Sequence, residues 1–199
     1  LTEAIAFLDR VLGVSSSLTG FAMDNMTRDD GWRFLIIGRR LERLSFLANA
    51  IGNFLRMPSA RGPGSLEWLL ELADSIITYR SRYSRLPELL PVIDLLVFDD
   101  SNPHGVVFQG SVLARYLDRM GRELGDHSES SLPDVLSRLR AFSLEPLEHL
   151  QFNECRTCPP CEELADLLKE LDAAAVQLSA RLGMRYFTHV GDVSRQTMA

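Results

Sequence analysis

Apolar residues recur every three or four positions along most of the chain, which is the spacing of an α-helix with one buried face. The first such stretch covers residues 2–19, where Ile5, Leu8 and Leu12 share a face, and Gly20 interrupts it. We therefore expect a first helix over residues 2–19. No stretch alternates apolar and polar residues in the way that indicates a half-buried β-strand.

The same spacing predicts seven further helices, with boundaries at capping residues, prolines and glycines. They are expected at about 29–56, 65–82, 87–98, 106–124, 133–142, 145–152 and 160–182. The connections between them are rich in Gly, Pro and Ser, as in MPSARGPGS. The predicted fold class is all-α, a multi-helix bundle of about six to eight helices in one domain over residues 1–199.

The second predicted helix differs from the others because charge lies inside an apolar stretch, GWRFLIIGRRLERLSFLANAI. The charged residues near its middle are Arg39, Arg40, Glu42 and Arg43. On a helical wheel, Arg39 and Arg43 fall on the face that also holds Trp32. A helix that is apolar nearly all round is central in its domain, so we expect Arg39 and Arg43 to face protein or ligand and not water.

Two interpretations of these arginines remain open at this stage. A buried arginine costs several kcal/mol unless it is paired and hydrogen-bonded. The first interpretation is a structural ion-pair network, with Glu42, Asp99 or Asp100 as the carboxylates. The second is a polar pocket for an anionic or amide-bearing ligand, because arginine binds carboxylate and phosphate with two parallel hydrogen bonds.

Composition narrows the classes of partner. The chain has 199 residues, a net charge of −6 and a pI near 5.2, which disfavours a nucleic-acid-binding protein. No uninterrupted apolar run reaches the roughly 18 residues of a membrane span, so we expect no membrane partner. The chain begins without Met and inside a helical pattern, which we interpret as a piece of a longer protein.

The sequence holds no complete catalytic motif. Lys169 is the only lysine and follows no glycine-rich loop, which excludes Schiff-base and P-loop chemistry. No Ser-His-Asp arrangement, HExxH motif or nucleotide-binding glycine pattern is present. Glu42 and Asp99 are the carboxylates that we consider as acid/base groups, and His104 is interpreted as a turn residue.

Two further segments could supply polar groups to a pocket beside the arginines. TYRSRYSR, at the end of the third predicted helix, supplies Tyr79, Arg80 and Tyr83, although cations at a helix C-terminus are also favoured by the helix dipole. DDSNPHGVVFQ, at the start of the fifth, supplies the Asp99 carboxylate together with the amides of Asn102 and Gln109.

The three cysteines, Cys155, Cys158 and Cys161, form one CRTCPPC cluster. An odd number in one cluster is not a secreted disulfide framework, and it favours a reducing cytoplasm. The spacing would also suit three thiolate ligands of a zinc or iron–sulfur site, for which His149 is the nearest fourth ligand. We expect surface thiols and no metal.

Three stretches together resemble the bacterial alpha-E family, an α-helical domain named for its Glu-Arg motif. They are MTRDDGWRFLIIGRRLERL, YRSRYSR and DDSNPHGVVFQ. Glu42-Arg43 matches the motif, and Asn102-Pro103 with Gln109 matches a later asparagine-proline segment. The resemblance is best over residues 1–124. Family members are usually longer two-fold repeats, of which this chain resembles the C-terminal half.

The resemblance implies a biochemical context in the bacterial cytoplasm. Alpha-E domains occur fused to, or encoded beside, a circularly permuted ATP-grasp domain, often with a transglutaminase-like protein. ATP-grasp enzymes join a carboxylate to an amine through an acyl phosphate, so peptide biosynthesis or amide formation is implied. ATP and magnesium would belong to that ligase partner, and no cofactor is expected in this chain.

Three functional hypotheses follow. The first is an accessory or substrate-binding domain of an ATP-grasp-linked system, with a small molecule or peptide as substrate. The second is an enzyme that cleaves or transfers an amide with Glu42 or Asp99 as acid/base, although neighbouring arginines favour the charged form of a carboxyl group. The third is a structural bundle whose charged residues form an internal clamp.

Overall fold

A computed structural model describes residues 1–57, 62, 64–83, 86–125, 130–148 and 158–187. Every regular element in these residues is helical, which confirms the all-α prediction. The α-helices are α1 Thr2–Asn25, α2 Asp30–Arg56, α3 Ser65–Leu72, α4 Ile76–Tyr83, α5 Leu89–Ile93, α6 Val106–Leu124, α7 Leu132–Arg140, α8 Glu145–Glu148 and α9 Pro159–Tyr186, with a π-helical segment at Asp94–Phe98. The chain divides into two compact units, Leu1–Ile36 and Ile37–Ala199.

Helix α1 continues through Gly20 to Asn25, so the predicted end at residue 19 is wrong. A glycine inside a helix costs only about 1 kcal/mol relative to alanine, and the residues after it continue the helical pattern. None of the residues in α1 is buried. Among the described helices, α1 alone is long and apolar enough to cross a membrane on length and composition, a test that core helices and signal sequences also pass.

The predicted helix at 65–82 is two helices, α3 and α4, which are separated by a Schellman motif. Asp74 adopts φ 52°, in the left-handed region, and its N–H donates to the carbonyl of Glu71. The N–H of Ser75 donates to the carbonyl of Leu70 at 2.8 Å. Both bonds satisfy carbonyl groups that the end of α3 would leave free. Aspartate occupies a position that is usually glycine, so the sequence shows no obvious break.

The buried face of α2 has a regular heptad spacing, formed by Ile37, Leu41, Leu44, Ala48, Ile51 and Leu55. Helix α9 packs beside it. The Cβ position of Gly52 lies 3.4 Å from the carbonyl oxygen of Ala165 and 3.5 Å from Cβ of Leu168, so the backbones approach closely there. Asp172 of α9 accepts hydrogen bonds from Ser45 and Asn49. These contacts bury one side of α2 against α9. Arg39, Glu42 and Arg43 of α2 are exposed.

Helix α5 continues directly into the π-helical segment Asp94–Phe98, whose inner residues Leu95, Leu96 and Val97 are fully buried. The segment therefore belongs to the core. It leads into the loop that brings Asn102 and His104 to the start of α6. Gly105 precedes α6, and a Cβ there would meet the carbonyl oxygens of Asn102 and Asp99 at 3.2 Å, so the turn leaves little room for a side chain.

Candidate functional site

The site is built around the outward side of α2, which we call the arginine cluster: Arg39, Arg40 and Arg43. Arg39 and Arg43 are exposed, as is Glu42, and Arg40 is half-buried. The alternative in which Arg39 and Arg43 are buried against other protein is therefore wrong. Phe46, which shares this face of the helix, is also 51% exposed. The arginines lie on a polar surface stripe of α2.

Arg40 is half-buried, and its hydrogen-bond partner is a neutral side chain. Its Nη1 donates to Oε1 of Gln109 at 3.0 Å, and its guanidinium lies 5.8 Å from the ring centre of Phe108. The Gln109 side chain is itself fixed, since its Nε2 donates to the carbonyl of Pro103. Burial lowers the pKa of Arg40, and the neighbouring charge of Arg39 lowers it further. No carboxylate compensates this charge among the described residues.

Arg43 has a second neutral partner, the imidazole of His104, with 2.6 Å between Nη1 and Nδ1. Arginine can only donate, so Nδ1 accepts and the ring proton lies on Nε2. Nε2 is 3.8 Å from Oδ2 of Asp74, which is beyond direct hydrogen-bond distance. Burial, followed by the charge of Arg43, lowers the pKa of His104. The ring is therefore neutral at neutral pH.

Several other arginines of the described residues are paired with carboxylates. Arg56 pairs with Asp166, and Arg82 pairs with Asp99. In contrast, no hydrogen bond or ion pair to Arg39 or Glu42 occurs in the part of the chain that the structure describes. Three neighbouring arginines therefore carry positive charge that no acidic side chain within hydrogen-bond distance neutralises. Such a group attracts anions, and guanidinium groups recognise carboxylate and phosphate in particular.

Asn102 holds the loop beneath the arginine cluster. It is buried, and its Nδ2 donates to the carbonyl of Leu95 at 3.0 Å and to Oγ of Ser75 at 3.3 Å. Its Oδ1 accepts from the backbone N–H of His104 at 3.1 Å. The amide thus joins the π-helical segment, the start of α4 and the His104 loop. Its role in this geometry is to position His104, not to face a ligand.

Asp99 does not join the arginine cluster, contrary to the sequence interpretation. It accepts from Arg82, and its Oδ1 accepts from the backbone N–H and the hydroxyl of Ser101 at 2.7 Å each. Burial by itself would raise the pKa of Asp99, but the hydrogen bonds from Ser101 and Arg82 outweigh it and lower the pKa. Asp99 is therefore ionised at neutral pH and fixed in a local turn.

The tyrosines and Arg80 also lie away from the arginine cluster. Tyr79 is fully buried, and its hydroxyl accepts from the N–H of Glu88 at 3.2 Å and donates to the carbonyl of Leu86 at 3.4 Å. It therefore acts as a core residue that holds the chain before α5. Arg80 lies 3.8 Å from Glu67 of α3 in an exposed ion pair.

Tyr83 lines a separate cavity of about 440 Å³ beside α5. The other described residues that line it are Leu90, Pro91, Asp94, Leu144, Glu145 and Glu148. Burial, then the charge of Asp94, raises the pKa of Tyr83. Burial, then the charge of Asp99, raises the pKa of Asp94, while Arg82 opposes this. The cavity is acidic and shares no lining residue with the arginine cluster.

Comparison with known proteins identifies the family. A family model described as "a predicted alpha-helical domain with a conserved ER motif", Alpha-E, matches residues 1–187. The chain belongs to the Alpha-E family. Glu42-Arg43 is the only Glu-Arg dipeptide in the sequence, so it is the pair that carries the motif. The match extends well beyond residues 1–124, where the sequence resemblance is best.

Curated relatives match most of this chain. Uncharacterized proteins of Mycobacterium bovis and Mycobacterium tuberculosis are 31% identical over 162 residues, which is 79% of this chain. The chain spans 18% of the length of these curated relatives. No solved structure matches the chain.

In this Alpha-E chain, the two residues of the motif have different surroundings. Arg43 contacts His104, whereas Glu42 points outward beside it without a hydrogen bond among the described residues. The sequence interpretation missed His104 and Asp74. His104 belongs to no sequence motif, and aspartate at position 74 does not signal a left-handed turn. The two residues lie in different connections of the chain, and only folding brings them close together.

Two of the cysteines occupy the N-terminus of α9. Cys158 and Cys161 are buried and joined in a disulfide, and Sγ of Cys158 accepts from the N–H of Cys161 at 3.3 Å. The expectation of surface thiols is wrong for this pair, because the start of α9 packs into the core. Cys155 and His149 lie outside the described residues. No group of three metal-ligating side chains occurs within those residues.

Proposed function

We propose that this Alpha-E domain is an accessory, substrate-binding domain of an ATP-grasp-linked system that forms peptide or amide bonds. In this proposal the arginine cluster binds the carboxylate or phosphate of a small-molecule or peptide substrate. Membership of the Alpha-E family supports this context, because the family resemblance implies a domain that is fused to, or encoded beside, an ATP-grasp domain. ATP and magnesium belong to the ATP-grasp partner, and the transglutaminase-like protein is a second proposed partner.

One observation carries the proposal: Arg40 and Arg43 are hydrogen-bonded to the neutral side chains of Gln109 and His104. A neutral partner fixes the direction of a guanidinium without neutralising it. Each guanidinium has five N–H donors, so donors remain for a ligand. Arg39 adds a third positive charge on the same exposed stripe, where an anionic substrate has direct access.

The chemistry of an ATP-grasp ligase suits such a surface. These enzymes act on carboxylate substrates and pass through an acyl phosphate, so their substrates and intermediates carry negative charge. A guanidinium pair can hold a carboxylate by two parallel hydrogen bonds, which fixes both its position and its orientation. The domain would therefore present an anionic group to a catalytic partner and perform no bond chemistry itself.

The geometry gives less support to the two other hypotheses. A general acid or base works best with a pKa near the working pH, whereas the pKa of Asp99 is lowered. Glu42 is exposed and has no neighbouring group that would orient it among the described residues. An internal clamp requires buried ion pairs, but Arg39 and Arg43 are exposed and Arg43 contacts an imidazole.

The test is a reconstituted assay with the ATP-grasp partner, in which release of ADP is measured against the concentration of the carboxylate substrate. Arg43→Gln removes a charge-assisted hydrogen bond, worth about 1.5–3 kcal/mol. We expect the KM for that substrate to rise by about 10- to 100-fold, with a smaller change in kcat.

Arg138→Gln is the matched control, because Arg138 is an exposed arginine on α7 paired with Glu170. Its kinetics should equal those of the wild type. A KM that is unchanged in Arg43→Gln and Arg40→Gln would refute substrate binding at the arginine cluster. A kcat lost in Glu42→Gln with unchanged KM would support direct catalysis instead.

A further inference from the structure

The described lining of the acidic cavity of about 440 Å³ comes from α4, α5, the π-helical segment and α8, all within the larger compact unit. Tyr83 comes from the end of α4, and Leu90, Pro91 and Asp94 come from α5 and the start of the π-helical segment. Helix α8 and the residue before it supply the opposite wall. The volume falls within the range of small-molecule sites, about 300–1,000 Å³.

The described lining combines an apolar surface with three carboxylates. Leu90, Pro91 and Leu144 form the apolar part. Asp94, Glu145 and Glu148 supply carboxylates, and no cationic side chain is among the described residues that line the cavity. Among the described residues, these carboxylates have no hydrogen-bond or ion-pair partner, whereas Arg82, whose charge acts on Asp94, is paired with Asp99.

We propose that this cavity is a binding site for an organic ammonium group, such as the primary amine of an alkylamine or of a lysine-like side chain. An ammonium ion would compensate the carboxylates, and its attached methylene groups would cover the apolar wall. A simple inorganic cation fits this lining less well, because it would leave the apolar part in contact with water. The proposal goes beyond the arginine cluster and uses none of its residues.

The position of Asp94 gives this ligand class a physical basis. The carboxylate is half-buried, so water stabilises its charge poorly, and the raised pKa reports that cost. A bound ammonium ion would restore the favourable interaction and bring the pKa back toward its ordinary value. The Tyr83 hydroxyl beside it is a neutral donor and acceptor that suits the third N–H of an ammonium group.

The experiment titrates 1,5-diaminopentane into the protein, at constant ionic strength set with sodium chloride, and follows binding by calorimetry. We expect saturable binding by the wild type and affinity reduced at least tenfold in Asp94→Asn. Glu148→Gln should also weaken binding, as a second variant at an exposed position. Arg43→Gln should bind the diamine like the wild type, which separates this site from the arginine cluster.

Asp118→Asn is the charge-matched control, because Asp118 is an exposed carboxylate of α6 paired with Arg122. It should bind the diamine as the wild type does. Equal weakening by Asp118→Asn and Asp94→Asn would show only general attraction to an acidic protein and would overturn the proposal. The absence of saturable binding by the wild type would overturn it as well.

Discussion

At the scale of single residues, the arginine cluster depends on the neutral state of its partners. His104 accepts from Arg43 only while its ring is uncharged. Protonation would replace an acceptor by a donor and place a second positive charge 2.6 Å from a guanidinium nitrogen. The hydrogen bond between Arg43 and His104 should therefore be lost when the imidazole takes up a proton.

His104→Gln should reduce the loss of stability on acidification. The pKa of His104 in the folded protein lies below 6.5, its ordinary value, so the unfolded chain takes up this proton first. The stabilising contribution is fully present above 6.5 and is lost as the pH falls through the folded pKa. Urea unfolding at pH 7.5 and at pH 5.5 measures the effect. An identical decrease in wild type and His104→Gln would contradict it.

Asp94→Asn should stabilise the protein at neutral pH. The pKa of Asp94 is raised above its ordinary value of 3.8, so the folded state favours the protonated form, which asparagine resembles. The contribution of the protonated form is fully present below 3.8 and is lost as the pH rises through the folded pKa. Because the group is partly solvated, we expect a gain of less than about 1 kcal/mol.

The pH dependence of the melting temperature checks this sign. Asp94→Asn should melt above the wild type at pH 7, and the two curves should meet below pH 3.8. A variant that melts lower at pH 7 would show that the ionised carboxylate has a stabilising partner. That result would argue against an uncompensated charge in the cavity.

At the scale of helices, close packing of α6 on α7 depends on one glycine. A Cβ on Gly110 would lie 2.5 and 2.8 Å from the two Cδ atoms of Leu136 and 3.2 Å from its Cγ. Leu136 is 2% exposed, so its side chain cannot move into solvent. Gly110→Ala should therefore destabilise the protein by about 1–3 kcal/mol through overpacking.

Gly38→Ala on α2 is the matched control, because a Cβ there meets nothing within 4 Å. It should stabilise the protein by about 0.5–1 kcal/mol, the ordinary gain of alanine over glycine inside a helix. Urea unfolding of both variants measures the difference. Equal effects of the two substitutions would mean that helix propensity, and not helix packing, determines the cost at Gly110.

The sequence predicted a helix well where the spacing of apolar residues and the positions of capping residues, glycine and proline give the same boundaries, as in α2 and α6. Their interruptions were not always predictable, for two physical reasons. The Schellman motif places aspartate where glycine is usual, so the break at Asp74 has no strong local signal. The π-helical segment depends on how a fully buried stretch packs, and the period of an apolar run does not show this.

At the scale of the whole molecule, the sequence predicted candidate residues but not which of them contact each other. Arg40 and Gln109, which it named for one candidate site, do form a hydrogen bond. The sequence interpretation wrongly placed Asp99 beside Arg39 or Arg43. A single sequence does not show which arginine a carboxylate contacts in the folded chain. Asp99 instead pairs with Arg82 within its own region.

The two candidate sites also have opposite charge. The arginine cluster on α2 is positive, and the cavity between α5 and α8 is negative, although the chain as a whole carries −6. Ammonium and carboxylate are the chemical groups that an amide-bond-forming system joins. The arrangement is therefore consistent with a domain that holds substrates of both kinds, each at its own surface.

The most direct test of the central claim is a thermal-shift measurement with ATP, amino acids and short acidic peptides on wild type, Arg40→Gln, Arg43→Gln and the control Arg138→Gln. A compound at 100 times its Kd stabilises the folded state by about 2.7 kcal/mol, or roughly 5–10 °C for a chain of this size. We expect at least one anionic compound to raise the Tm of wild type and Arg138→Gln, and not that of the two cluster variants.

All four proteins should melt at similar temperatures without ligand, because none of the three arginines is fully buried and the polar contacts of partly or fully exposed arginines contribute little to stability. The account would be contradicted if both cluster variants melted several degrees lower without ligand while no compound stabilised the wild type. The arginine cluster would then be a structural clamp, and it would not be a site for an anion.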